Sequence, residues 1–236
     1  MQANLYGFES KAHPCANGTC DAMSQCIIGM QKQGVRDYGE DAYGPNGSFI
    51  DTNAKFHVKN EFVSTADYQT FWKLRTILSQ NDSEIVMEAD CRDYLKSLSD
   101  PIEGGMGLVL SSWDNTSVGE DFELDWGQSK QENCDAASNI ISNFSVKQGG
   151  STENMPDDGE DAKDGFLKYV IDIDGNTITK YLSTKEWSTA ETMESSLTIS
   201  GNNSLFLRDT EDHSSASIFK PTIRGGSISY DVDVSQ

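Results

Sequence analysis

The chain has 236 residues, 36% of them hydrophobic and 24% charged, which allows one large β domain or two ordinary ones and excludes disorder throughout. Its 18 Lys+Arg against 38 Asp+Glu give a formal charge of -20, which repels phosphate backbones and anionic lipid, so neither nucleic acid nor a membrane is expected as a partner. A neutral polysaccharide stays open, because hydroxyl recognition needs hydrogen bonds and aromatic faces rather than opposite charge.

Short alternating apolar and polar stretches between turn residues predict an all-β chain, an antiparallel β-sandwich. In chain order the candidate strands are Ser48–Asp51, Lys55–Val63, Gln69–Leu78, Met106–Ser112, Ile140–Val146, Leu167–Asp174, Thr177–Ser183, Leu205–Arg208 and Ser227–Val234. In the last, Ile228, Tyr230, Val232 and Val234 share one face while Ser229, Asp231 and Asp233 share the other, as a period of two requires. Met87–Leu98 is predicted to be a helix whose Tyr94, Leu95 and Leu98 cover a sheet edge. Residues 147–165, KQGGSTENMPDDGEDAKDG, lack core-forming periodicity and predict an exposed linker. That linker divides 1–146 from 166–236, and the second part is too short for an independent core. Both parts are therefore expected to pair into shared sheets, as one domain.

No stretch of about eighteen apolar residues predicts a membrane-spanning helix. Met1-Gln2-Ala3-Asn4 lacks the basic-then-apolar order of a secretory leader, so the leader of an exported form is expected to lie outside this chain. Export itself is suggested by six Asn-x-Ser/Thr sequons, beginning at Asn17, Asn46, Asn81, Asn115, Asn143 and Asn202; an extracellular or secretory location follows. Five cysteines, Cys15, Cys20, Cys26, Cys91 and Cys134, leave at least one without a partner in the chain. They show no zinc-ligand spacing with His, so disulfides are the better reading. Asp172-x-Asp174 with Asn176 echoes part of a calcium loop but lacks its glycine and distal Glu. No metal or other cofactor is predicted.

Residues 1–146 resemble, motif by motif, the later half of glycoside hydrolase family 7, the cellobiohydrolase and endoglucanase type. Met1-Gln2-Ala3-Asn4 is similar to the end of that family's catalytic strand, Glu-x-Asp-x-x-Glu-Ala-Asn. His13-Pro14-Cys15, Gly18-Thr19-Cys20-Asp21, Tyr43-Gly44-Pro45, Gly104-Gly105-Met106 and Trp113-Asp114 follow in the family's order. Tyr169–Gln236 resembles the beginning of the same family, through Val170-Ile171-Asp172 and Ser229-Tyr230-Asp231-Val232-Asp233-Val234-Ser235-Gln236. The halves are thus swapped, by circular permutation, excision from tandem modules or joining of separated segments. The resemblance implies a concanavalin-like jelly roll in which the segment between Gln236 and Met1, with the catalytic nucleophile, is missing. It also implies pairing of Cys15 with Cys20 and of Cys26 with Cys91, the partner of Cys134 lying in the missing segment; a spare buried thiol is the other reading of Cys134.

Retaining glycoside hydrolysis needs two carboxyl groups about 5–5.5 Å apart. By resemblance the acid/base position is Gln2, whose amide has no tunable acidic proton, and the nucleophile has no counterpart. Glu84 and Glu88 sit four apart at the entrance of the predicted helix, a spacing for a solvated face rather than a cleft. Sugar recognition is better supplied. By resemblance Trp113 is a stacking platform, Asp114 accepts a sugar hydroxyl, and His13 and Arg36 face the leaving-group side. Phe122-Glu123-Leu124-Asp125 and Asp174-Gly175 stand where the family has tryptophans, which weakens a long cellulose grip. The expectation is a catalytically degenerate β-glucan-recognising module. The alternatives are an active retaining β-1,4-glucanase completed by the missing segment, and an assembly protein whose sandwich is completed by a second chain.

Overall fold

The computed structural model describes residues 2–3, 8–12, 15–16, 19–20, 26–29, 38, 41–65, 70–89, 91–112, 138–148, 166–184, 190–193, 195–200 and 203–235. The chain is an all-β sandwich, mostly antiparallel. The first strands are β1 (Gln2–Ala3), β2 (Phe8–Ala12), β3 (Cys15–Ala16), β4 (Thr19–Cys20), β5 (Cys26–Gly29), β6 (Tyr43–Gly44) and β7 (Ile50–Asp51). They form three small sheets, β1-β2-β5, β3-β4 and β6-β7. Then come β8 (Phe56–Ser64), β9 (Phe71–Gln80), β10 (Ser83–Ala89), the short helices α1 (Arg92–Lys96) and α2 (Ser99–Glu103), β11 (Val109–Ser112) and β12 (Ser138–Lys147). The last are β13 (Phe166–Ile173), β14 (Asn176–Thr184), β15 (Ala190–Met193), β16 (Ser196–Ser200), β17 (Asn203–Arg208) and β18 (Ser227–Asp233).

Strands β8 to β18 make one 11-stranded sheet, in the order β10-β9-β8-β18-β12-β13-β14-β17-β11, with β16 also on β12 and β15 on β16. The last strand of the chain is therefore inserted between β8 and β12, and β12 carries the branch. One edge of β12 pairs with β18, while its other edge pairs with β16 over Ser138–Ser142 and with β13, in parallel, at Ser145 and Val146. The change of partner falls at a register shift between Ser142 and Ser145, where Asn143 has φ 53°. A bulge of this kind bends a strand and re-aims its edge. The β15–β16 hairpin accordingly comes back within contact of β13 and β11, which makes a second layer from the same sheet.

Register sets one buried face across five strands, apolar except for the hydrogen-bonded pair Thr76 and Asn60. Ile85 and Met87 of β10 lie opposite Leu78 and Thr76 of β9, which lie opposite Val58 and Asn60 of β8; β18 continues the row with Val232, Tyr230 and Ile228, and β12 with Ile141 and Val146. Tyr43 meets Phe56 edge-on at 5.7 Å, and Phe144 stacks on Tyr230 at 6.0 Å and tilts against Tyr169 at 6.4 Å. Ile50, Leu95 and Ile102 join the same buried cluster from outside the sheet.

Two sequence expectations are corrected here. Residues 87–89, expected to start a helix over Met87–Leu98, end β10, and only Arg92–Lys96 of that span is helical. The reason is the two-residue turn Asn81-Asp82, with Asn81 at φ 53°, which returns the chain against β9 in perfect alternation: Ile85 and Met87 buried, Glu84, Val86 and Glu88 exposed. Glu84 and Glu88 thus stand on an edge strand rather than a helix. The expected linker also begins too early, since Lys147 is still in β12 and the Gln148 N–H donates to Asp174 Oδ1 at 2.9 Å; residues 149–165 lie outside the described ones. Strand starts move inward at Ile50 and Val109.

This register makes adjacent positions unequal. Leu78 is 0% exposed and Ile77 half-buried on the opposite face. Leu78→Ala is expected to cost about 2–5 kcal/mol in urea unfolding and Ile77→Ala clearly less; the reverse order would mean that β9 is slipped by one residue.

Candidate functional site

The face of the five strands opposite the core is polar, and the pairing that aligns the core also aligns it. Glu88, Arg75 and Glu61 form one cross-strand row with Ser227; Val86, Ile77 and Lys59 form the next with Ser229; Glu84, Ser79 and His57 form the third with Asp231. At one end Asp231, with 16% of its side chain exposed, takes three donors. His57 Nδ1 lies 2.8 Å from Oδ1, Asn143 Nδ2 donates to Oδ2 at 2.8 Å, and Lys55 Nζ lies 3.1 Å from Oδ2. Burial pushes the Asp231 carboxyl up, but the hydrogen bonds from His57, Asn143 and Lys55 and the Lys55 charge outweigh it and hold the carboxyl below the ordinary range. A carboxylate only accepts, so His57 Nδ1 carries the shared hydrogen and Nε2 is left as the ring's other nitrogen.

A second cluster occupies the neighbouring rows. Lys59 Nζ donates to Glu61 Oε1 at 2.7 Å, Arg75 bridges Glu61 at 3.0 Å and Glu88 at 2.6 Å, and Lys73 meets Glu88 at 2.9 Å. Bonding to Lys59 holds Glu61 low, and bonding to Lys73 and Arg75 holds Glu88 low. Trp72, half-buried, has Lys73 Nζ 5.1 Å and Arg92 Cζ 5.0 Å from its ring centre. The face can therefore offer hydrogen-bond donors and acceptors held at fixed spacing. Every carboxyl shift among the described residues, at Asp51, Glu61, Glu88, Asp212 and Asp231, runs downward, which favours the ionised, accepting form.

Elsewhere buried cations are satisfied structurally. Arg208 donates to Ser183, to the Asp212 and Ser214 carbonyls at 3.0 and 2.7 Å, and to Ser217; Lys180 pairs with Asp209 at 2.6 Å. Among the described residues no group of three or more His, Cys, Asp or Glu is placed to hold a metal ion.

Of the residues singled out from sequence, Gln2 lies on β1 directly opposite Glu9, in the small sheet β1-β2-β5 rather than in the large one. Trp113 and Asp114 follow the end of β11; they, His13, Arg36 and Cys134 lie outside the described residues. Cys15 and Cys20 are cross-strand partners in β3–β4, and Cys91 is half-buried directly before α1. Sequence reasoning missed His57, Lys55, Lys59, Arg75 and Asn143 as a group. The signal was the even spacing of His57, Lys59 and Glu61 along β8, but only the register with β18 joins His57 to Asp231, 174 residues away.

The pH dependence of stability follows from these carboxylates. Their folded values lie below the unfolded ones, near 4 for Asp and Glu, so their contribution is complete above that pH and is lost as pH falls through the folded values. The urea midpoint is expected to drop on acidification below about pH 4, and Asp231→Asn to flatten that limb. A midpoint that climbs as acid is added would contradict the arrangement.

No family model, no curated protein and no solved structure matches the chain.

Proposed function

We propose that this chain is a β-glucan-recognising module, similar to family 7 glycoside hydrolases and catalytically degenerate as it stands. The observation that carries the reading is the interlocked polar face. On a chain of net charge -20, Lys55, Lys59, Lys73 and Arg75 are each paired with Asp231, Glu61 or Glu88. Local charge is nearly cancelled, so the face attracts neither cations nor anions strongly, while its remaining donors and acceptors suit neutral hydroxyls. The resemblance adds Trp113 as a stacking platform and Asp114, His13 and Arg36 as hydroxyl partners. Gln2 at the acid/base position, together with carboxylates held ionised, supports recognition without turnover.

The same reading makes the protein an exported, disulfide-bonded glycoprotein. Cys15–Cys20 is supported by their direct cross-strand register, a separation within disulfide reach. Cys26–Cys91 is supported by the engaged state of Cys91 and by the approach of β5 to β10. Non-reducing peptide mapping should recover both pairs with Cys134 in neither, and Cys91→Ala should cost about 2–4 kcal/mol of stability. Recovery of Cys91 linked to any other cysteine would refute this pairing.

Calorimetric titration with a soluble β-1,4-glucan tests the function. Saturable binding without release of reducing sugar is expected, weakened about tenfold or more, some 1.4 kcal/mol, by Trp113→Ala and by Asp231→Ala, with the circular dichroism of both variants unchanged. Turnover would show an active hydrolase instead, and absence of binding would leave an assembly role.

A further inference from the structure

Three sequons have their asparagine among the described residues: Asn46-Gly47-Ser48, Asn81-Asp82-Ser83 and Asn143-Phe144-Ser145. All three asparagines are exposed and left-handed, at φ 62°, 53° and 53°. A left-handed backbone accounts for asparagine, which tolerates positive φ better than most side chains. It does not call for a hydroxyl residue two positions on.

Their surroundings separate them. Asn46 lies in a tight turn closed by the Gly47 N–H on the Gly44 carbonyl at 2.8 Å, and Asn81 is the first residue of the two-residue β9–β10 turn. The two turns adjoin. The Asn46 N–H donates to Asp51 Oδ1 at 2.8 Å, the Asp51 N–H donates to Gln80 Oε1 at 2.8 Å, and Gln80 precedes Asn81. Asn143 instead stands at the bulge of a central strand, flanked by paired residues, with its amide given to Asp231 at 2.8 Å.

We propose that Asn46 and Asn81 are N-glycan acceptors that together form a doubly glycosylated pole where β7 meets the β9–β10 turn, and that Asn143 stays bare. In the transfer Nδ2 gives up a proton and bonds to C1 of the first sugar of a lipid-linked oligosaccharide diphosphate. The C1–O bond to the diphosphate breaks, the lipid diphosphate leaves, and nothing is oxidised or reduced. The two acceptors rest on turn geometry and on passage through a glycosylating secretory route. The bare state of Asn143 rests on the proposed glucan face, because a glycan there would stand beside Asp231 and cover that face.

The full chain, secreted from a eukaryotic host behind a heterologous leader, would be mapped by glycopeptide mass spectrometry with enzymatic deglycosylation in heavy-oxygen water. Label at Asn46 and Asn81 and none at Asn143 is the expected result. Ser48→Ala and Ser83→Ala keep the left-handed asparagines, and each should remove one glycan, whereas Ser145→Ala should remove none. An unmodified Asn46 or Asn81 in secreted protein, or a glycan on Asn143, overturns the proposal. Glucan titration of the same preparation separates the two readings: failure to bind with Asn46 and Asn81 occupied and Asn143 bare rejects the glucan face and leaves the acceptors standing.

Discussion

Strand β12 is the constraint on which the rest depends. Its edge toward β18 is continuous apart from the bulge, and its other edge is divided between β16 and β13. Backbone amides and carbonyls buried in a sheet must be paired, so a strand with two partners on one side has to bend where they change. Asn143, at φ 53°, is where it does. The same bend places Phe144 against both Tyr169 of β13 and Tyr230 of β18, which brings side chains from widely separated parts of the sequence into one cluster. Because β18 is held between β8 and β12, the contacts of Asp231 with Lys55, His57 and Asn143 exist only when that last strand is in place.

Alternation was a good guide wherever a strand has one wet and one dry face. The β8, β9, β13, β14 and β18 expectations fall within a few residues of the observed strands, and the division of β18 into an apolar and an acidic face is what register confirms. Alternation failed at β10 because Ile85, Val86 and Met87 are consecutive apolar residues, a run that periodicity cannot distinguish from a buried helix. The deciding feature is the left-handed Asn81, a turn residue whose backbone angle the sequence does not print. Pairings such as β12 with β13, parallel and formed at only two positions, carry no local signal. The site was less legible still. His57 and Asp231 are each an ordinary polar residue on the wet side of a strand, and their meeting depends on a register set by distant apolar residues.

A network of ion pairs on a half-exposed sheet face contributes little stability pair by pair, which makes its extent informative. Lys59, Glu61, Arg75, Glu88 and Lys73 form a continuous chain of contacts across three strands. Glu61, Arg75 and Glu88 each have two partners in it, so their rotamer freedom is already restricted before anything binds. A ligand meeting such a face orders less side chain than it would on a surface of free lysines and glutamates, and preorganisation of this kind lowers the entropic cost of association.

The chemistry of that face also limits what it can do. Hydrolysis by paired carboxyls requires one that keeps its proton near neutral pH and one that does not. Opposite charges beside every shifted carboxyl on this sheet favour the ionised form, and none is set apart in an apolar pocket that would retain a proton. Replacing Gln2 by Glu would place one carboxyl on β1, but β1 pairs in a different sheet from Asp231, Glu61 and Glu88. Such an acid would still need a partner nucleophile held at the short separation that retention demands. Under the proposed reading the large sheet's polar face holds a neutral chain, and paired-carboxyl hydrolysis would draw on carboxyls other than Glu61, Glu88 and Asp231.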